Sequence, residues 1–144
     1  MTTTTGPETV RTLMTVLGAL CKARTSFGGL EASDAELAYG AATRAKRSKV
    51  VTEGLCDLGA LDRGTAAKVE DAYVTVCTFC IAFHDAAPTS DLFRLRCEAT
   101  ADLDIAIRAV RDAINARLPG RHIFAAQDAA EGASLARMAP LGGE

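Results

Sequence analysis

Inside the apolar run from Lys68 to Asp85 stand two cysteines and a histidine, spaced Cys77-x-x-Cys80-x-x-x-His84. Steps of three and four residues return to one side of a helix, so these side chains, with Tyr73 before them, form a single stripe on a helical segment. Two chemistries use such a set. In thiol redox one thiolate attacks a peroxide or disulfide, its neighbour resolves the intermediate, and the imidazole takes the proton. In metal binding Cys77, Cys80 and His84 supply three ligands, with Cys56, Cys97 or His122 as a fourth. Zinc sites usually bend the chain between paired cysteines, and the sequence has no second Cys-x-x-Cys. A third reading needs no chemistry. Cys77 and Cys80 are then small hydrophobes in a bundle core, and His84 reaches solvent at the helix end. The surrounding residues favour it, because Tyr73–Val76 run helically into Cys77. That places the pair in mid-helix, away from the N-terminal dipole that lowers a thiol pKa. No resident metal and no small-molecule cofactor is expected.

The same three residues resemble the motif of the alkylhydroperoxidase AhpD (carboxymuconolactone decarboxylase) family, small all-helical proteins carrying Cys-x-x-Cys-x-x-x-His. The resemblance covers only Cys77, Cys80 and His84, and implies an alternative function as a thiol oxidoreductase using them as catalytic groups. That family places a glutamate well upstream in the same region. Thr65 stands at about that position here, and the nearest acid, Glu70, is closer to the cysteines.

The elements that must position this stripe are helices. Val10, Leu13, Met14, Leu17 and Cys21 form one stripe and predict a first helix over Pro7–Arg24, with Pro7 in its first turn and Ser26-Phe27-Gly28-Gly29 ending it. Ser33-Asp34-Ala35-Glu36 is a capping box that opens a second helix, Ser33–Leu58, whose shared face is Leu37, Ala41, Val51, Leu55 and Leu58. Arg44 and Ser48 fall on that face and interrupt it. Gly54, Gly59 and Gly64 loosen the next stretch. Asp62 or Thr65 can cap the central helix, which is expected to end near Pro88 and to be buried on most sides: Ala72, Val76, Phe79 and Phe83 give its apolar face, and Asp71, Thr75, Thr78 and Asp85 a narrow polar edge. Thr89-Ser90-Asp91 is a further cap signal, but Phe93-Arg94-Leu95-Arg96 alternates and fits an extended segment as well. Leu103, Ile107, Val110, Ile114 and Leu118 form a bundle seam on the last long helix, stopped by Pro119-Gly120. A short helix over Ala125–Met138 follows. The fold class is therefore all-α: a four-helix bundle with a short additional C-terminal helix, one domain over residues 1–144 with loose ends at 1–6 and 139–144.

The totals narrow the function. A formal net charge of −2 rules out a globally basic nucleic-acid binder, though a subunit repeated along RNA needs only a few arginines per copy. Five cysteines, an odd number, and a start without a charged region followed by an apolar run point to reduced thiols and no secretory signal. No apolar stretch reaches membrane-spanning length. The densest basic run is Arg44, Lys46, Arg47 and Lys49, either a solvated face or a phosphate-facing patch in which Arg44 is the leading member.

Taken over most of its length, the order of elements is similar to the coat proteins of rod-shaped plant RNA viruses, the tobamovirus-like group. The matching features are a Thr-containing N-terminal arm, a helix pair, and a central apolar helix ending Ala82-Phe83-His84-Asp85. Arg94-x-Arg96 then leads into a long helix carrying Asp104 and Arg111-Asp112-Ala113-Ile114-Asn115. The resemblance implies a self-assembling, non-enzymatic subunit of a helical rod holding single-stranded RNA. Arg94 and Arg96 would contact phosphate, Arg44 would assist, and Asp104 would act as an acidic switch that helps disassembly. It also implies a homo-oligomer and a place in a virion, while the reduced thiols suggest the cytoplasm and the lack of a membrane-length apolar stretch leads us to expect no membrane partner. The chain departs from that group in having no Trp, few aromatics and a shortened loop before the long helix. A helical protein–protein interaction module is the remaining alternative.

Overall fold

The computed structural model describes residues 6–28 and 35–118, which form four helices: α1 (Gly6–Gly28), α2 (Ala35–Asp57), α3 (Arg63–His84) and α4 (Thr89–Ala116). Each packs on its chain neighbours and α1 closes the ring against α4, which is an up-and-down four-helix bundle. The all-α class expected from the periodicity is the observed one. The short helix expected over Ala125–Met138, the Ser33 cap, His122 and both chain ends lie outside the described residues.

The core follows the expected stripes closely on α3 and α4; on α1 only Leu13 and Leu17 of the expected stripe are buried, Val10 and Cys21 are half-buried, and Met14 is exposed, because the inward face is turned towards Val16 and Leu20. Leu13, Val16, Leu17, Leu20, Ala23 and Phe27 from α1 meet Val69, Ala72, Val76 and Phe79 from α3 and Leu103, Ile107, Val110 and Ile114 from α4. Helix α1 runs one turn beyond the expected Arg24. Phe27 explains this: it is fully buried and stacks edge-on against Phe79, centroids 4.9 Å apart, so the last turn is held by core packing.

Helix α2 differs from its expected face. Leu37 and Leu58 are exposed, and the buried line is Ala38, Ala41, Ala45, Ser48, Thr52 and Leu55. Small side chains let this helix approach its neighbours closely. Its buried hydroxyls stay satisfied by bonding back along the helix: Ser48 Oγ donates to the Arg44 carbonyl at 3.0 Å, and Thr52 Oγ1 to the Ser48 carbonyl at 2.9 Å. Ser48 is therefore part of the core, and Arg44 sits half-buried at its edge.

Three of the helix ends are set by clear local chemistry, whereas α4 begins after Pro88 without a side-chain cap, so the cap expected at Thr89-Ser90-Asp91 does not form. Asp62 caps α3, its carboxylate accepting from the Thr65 backbone N–H and hydroxyl, both at 2.8 Å. Of the three glycines expected to loosen this region, Gly54 and Gly64 lie within helices, and only Gly59 turns the chain, with φ of 74°. Bonds from Ala60 N–H to the Leu55 carbonyl and from Gly59 N–H to the Cys56 carbonyl make the end of α2 a Schellman motif. The end of α3 repeats it, with Ala87 N–H on the Ala82 carbonyl and Ala86 N–H on the Phe83 carbonyl. The left-handed residue there is Ala86, φ 56°. Residues 93–96 are helical, so the extended alternative for this segment does not hold.

Candidate functional site

The Cys-Cys-His stripe lies on α3 as the spacing requires, but its members occupy different environments. Cys80 is buried, and its Sγ donates to the Ala38 carbonyl of α2 at 3.5 Å. Burial, reinforced by the neighbouring Cys77, pushes the Cys80 thiol up to about 11. At neutral pH it is held as a thiol. Cys77 is half-buried on the α2 flank, in hydrogen-bond contact with the Tyr73 hydroxyl one turn earlier, a contact that pushes the Tyr73 hydroxyl upward. His84 is exposed in the last turn. All five cysteines are free thiols. Cys56 lies at the far end of α2, and Cys97 is exposed on α4. Among the described residues no group of three or more His, Cys, Asp or Glu is placed to hold a metal ion.

The arginines singled out from the sequence separate. Arg94 and Arg96 stand two residues apart on a helix, about 200° around its axis. Arg94 is exposed, 3.0 Å from Glu98 and 4.0 Å from Asp91. Arg96 is half-buried, its guanidinium 5.5 Å from the Phe93 ring centroid in a cation–π contact. Extended backbone would have spaced the pair along one edge; helical backbone points them apart. Arg44, on α2, lies back over Gly40.

A groove along the α1–α4 seam does gather charged residues. One hollow, of about 360 Å³, is lined by Arg24, Arg96, Cys97, Thr100 and Asp104. It adjoins a larger one of about 630 Å³, which shares Arg24 and Asp104 and adds Cys21, Lys68, Arg108 and Arg111. Asp104 accepts from Arg24 Nε at 2.9 Å, tying α1 to α4. Burial raises the Cys21 pKa, opposed by the Arg111 charge. Of the residues chosen from sequence, the fold brings Arg96 and Asp104 into this groove and leaves Arg94 and Arg44 outside it. Sequence reasoning missed Arg24, because nothing in a single chain pairs a residue of α1 with one 80 positions later.

Among the described residues no helix is long and apolar enough to cross a membrane. No family model, curated protein or solved structure matches the chain, so its function is argued from these side chains alone.

Proposed function

We propose that the chain is a self-assembling structural subunit, like a helical viral coat protein, that holds single-stranded RNA by its phosphate backbone. The observation that supports self-assembly best is on α3. The helix that gives Val69, Val76 and Phe79 to the core also turns Val74 and Ile81 outward, 50% and 63% exposed. Sequence reasoning expected this helix to be covered on most sides; here its outer face is open, and two exposed apolar side chains two turns apart on it suit a protein partner. The compartment that fits this reading is the cytoplasm or a virion.

The RNA part rests on the α1–α4 groove. Phosphate contacts need cations and no base recognition. Arg24, Arg96, Arg108 and Arg111 offer guanidinium groups along one seam, and Asp104 competes with phosphate for Arg24. Arg94 and Arg44 are auxiliary contacts from neighbouring surfaces.

Size-exclusion chromatography with light scattering, with and without single-stranded RNA at low and moderate salt, tests both parts. Large particles that retain RNA less well as salt rises, with retention weakened by Arg96→Ala and Arg24→Ala, are the expected result. Large particles indifferent to RNA would remove the RNA part alone. A small fixed particle under every condition would overturn the reading.

A further inference from the structure

The outward faces of α2 and α3 are complementary. On α3 and its C-cap, Asp71, Val74, Thr78, Ile81 and Asp85 follow one another at three, four, three and four residues, and all are exposed. That is the spacing of a coiled-coil seam, about 21 Å long, turned to solvent. On α2, Tyr39, Thr43, Lys46 and Val50 follow at four, three and four residues and are likewise exposed, with Arg47 alongside. Tyr39 and Val50 are 44% and 57% exposed. The two seams have the same mix of apolar and polar residues but opposite charge. Between Glu36 and Glu53, α2 carries four cations and no acid; between Lys68 and Arg94, the chain carries four acids and no Lys or Arg. No ion pair among the described residues engages Lys46, Arg47, Asp71 or Asp85.

We infer that the partner for each face is a second copy of this chain: the basic–apolar seam of α2 on one copy packs against the acidic–apolar seam of α3 on the next. Two acidic α3 faces repel one another, as do two basic α2 faces, so self-pairing of either seam is disfavoured. Each copy offers both faces on different helices, which makes the contact heterologous. Repetition closes into a ring or grows as an open helical filament, according to the rotation between copies. The inference rests on the self-assembly reading above and adds the surface and the polarity of the contact to it.

Charge reversal tests it without touching the core. One variant carries Lys46→Glu and Arg47→Glu; the other carries Asp71→Lys and Asp85→Lys. Circular dichroism establishes that each is folded, and light scattering without RNA reads association. Each variant alone should associate about tenfold or more weakly than the parent, since its two faces now bear like charge. Mixed in equal amounts, they should regain large particles as an alternating copolymer, because each then meets the opposite sign on its neighbour. Parent-like association of either variant alone, or a mixture that stays dispersed, overturns the inference and leaves self-assembly through another surface. A parent chain that never associates removes self-assembly itself.

Discussion

Cys80 shows most directly how an environment decides what a residue can do. Its pKa of about 11 leaves about one thiol in a thousand ionised at pH 8, too few for a working nucleophile. Pulsed alkylation followed by mass spectrometry should label exposed Cys97 early and Cys80 last; equal rates would revive the redox alternative. Burial also couples this thiol to stability. The folded chain holds the proton more tightly than the unfolded chain, whose thiol has the ordinary value of 9.0. The stabilisation is fully present below about pH 9 and is lost as pH rises towards 11, on the order of 1–2 kcal/mol. Unfolding free energies measured from pH 8 to pH 11 should therefore fall more steeply for the parent than for Cys80→Ala. The spacing of Cys77, Cys80 and His84 was legible in the sequence, as was the mid-helix position that argues against reactivity. The carbonyl of Ala38 lying over the Cys80 sulfur was not, because it comes from another helix.

At the scale of the element, the two Schellman ends make a matched pair. Gly59 adopts its left-handed φ without a Cβ penalty, whereas Ala86 does so with one. Ala86→Gly should stabilise the fold by about 0.5–1 kcal/mol, and Gly59→Ala should destabilise it by about 1 kcal/mol. Urea denaturation of both variants checks the two signs together; a neutral Ala86→Gly would mean that the turn relaxes in solution. Pro88 signalled that α3 must stop nearby, because a residue before proline avoids helical backbone. The stop falls four residues earlier than that proline, at His84. Alanine carries no turn signal, so the position of this end was not readable. The cap of α3 was readable only as a choice between Asp62 and Thr65, and the Asp62 carboxylate takes it by accepting from Thr65.

For the molecule as a whole, the tie between α1 and α4 tests the proposed RNA groove. Arg24 and Asp104 are both substantially solvent-exposed, so the pair contributes little to stability. Asp104→Asn should change the unfolding free energy by less than about 1 kcal/mol. It also removes a carboxylate that competes with phosphate, so RNA retention should persist to higher salt than in the parent. Filter binding across a salt series reads this directly, and an unchanged salt midpoint would place the RNA contacts elsewhere. The resemblance to rod-shaped virus coat proteins implied a role for Asp104 as an acidic switch. Its engagement by Arg24 is the contact that the proposed phosphate binding would exchange, and spacing within α4 alone does not suggest that contact.

The sequence by itself determined that four helices form and which stripes of α3 and α4 face inward, because three-to-four periodicity is a local property. On α1 it placed Leu13 and Leu17 inward correctly but also Met14, which packing leaves exposed. It determined less about α2. There the inward face is built from alanine and two hydroxyl residues, and only packing distinguishes small residues at a close approach from small residues at a surface. Tertiary structure alone decided that α3 is covered on one side and open on the other, and that Arg24 meets Asp104. Each depends on which helix lies beside which, and hydrophobic pattern along one chain does not encode that adjacency.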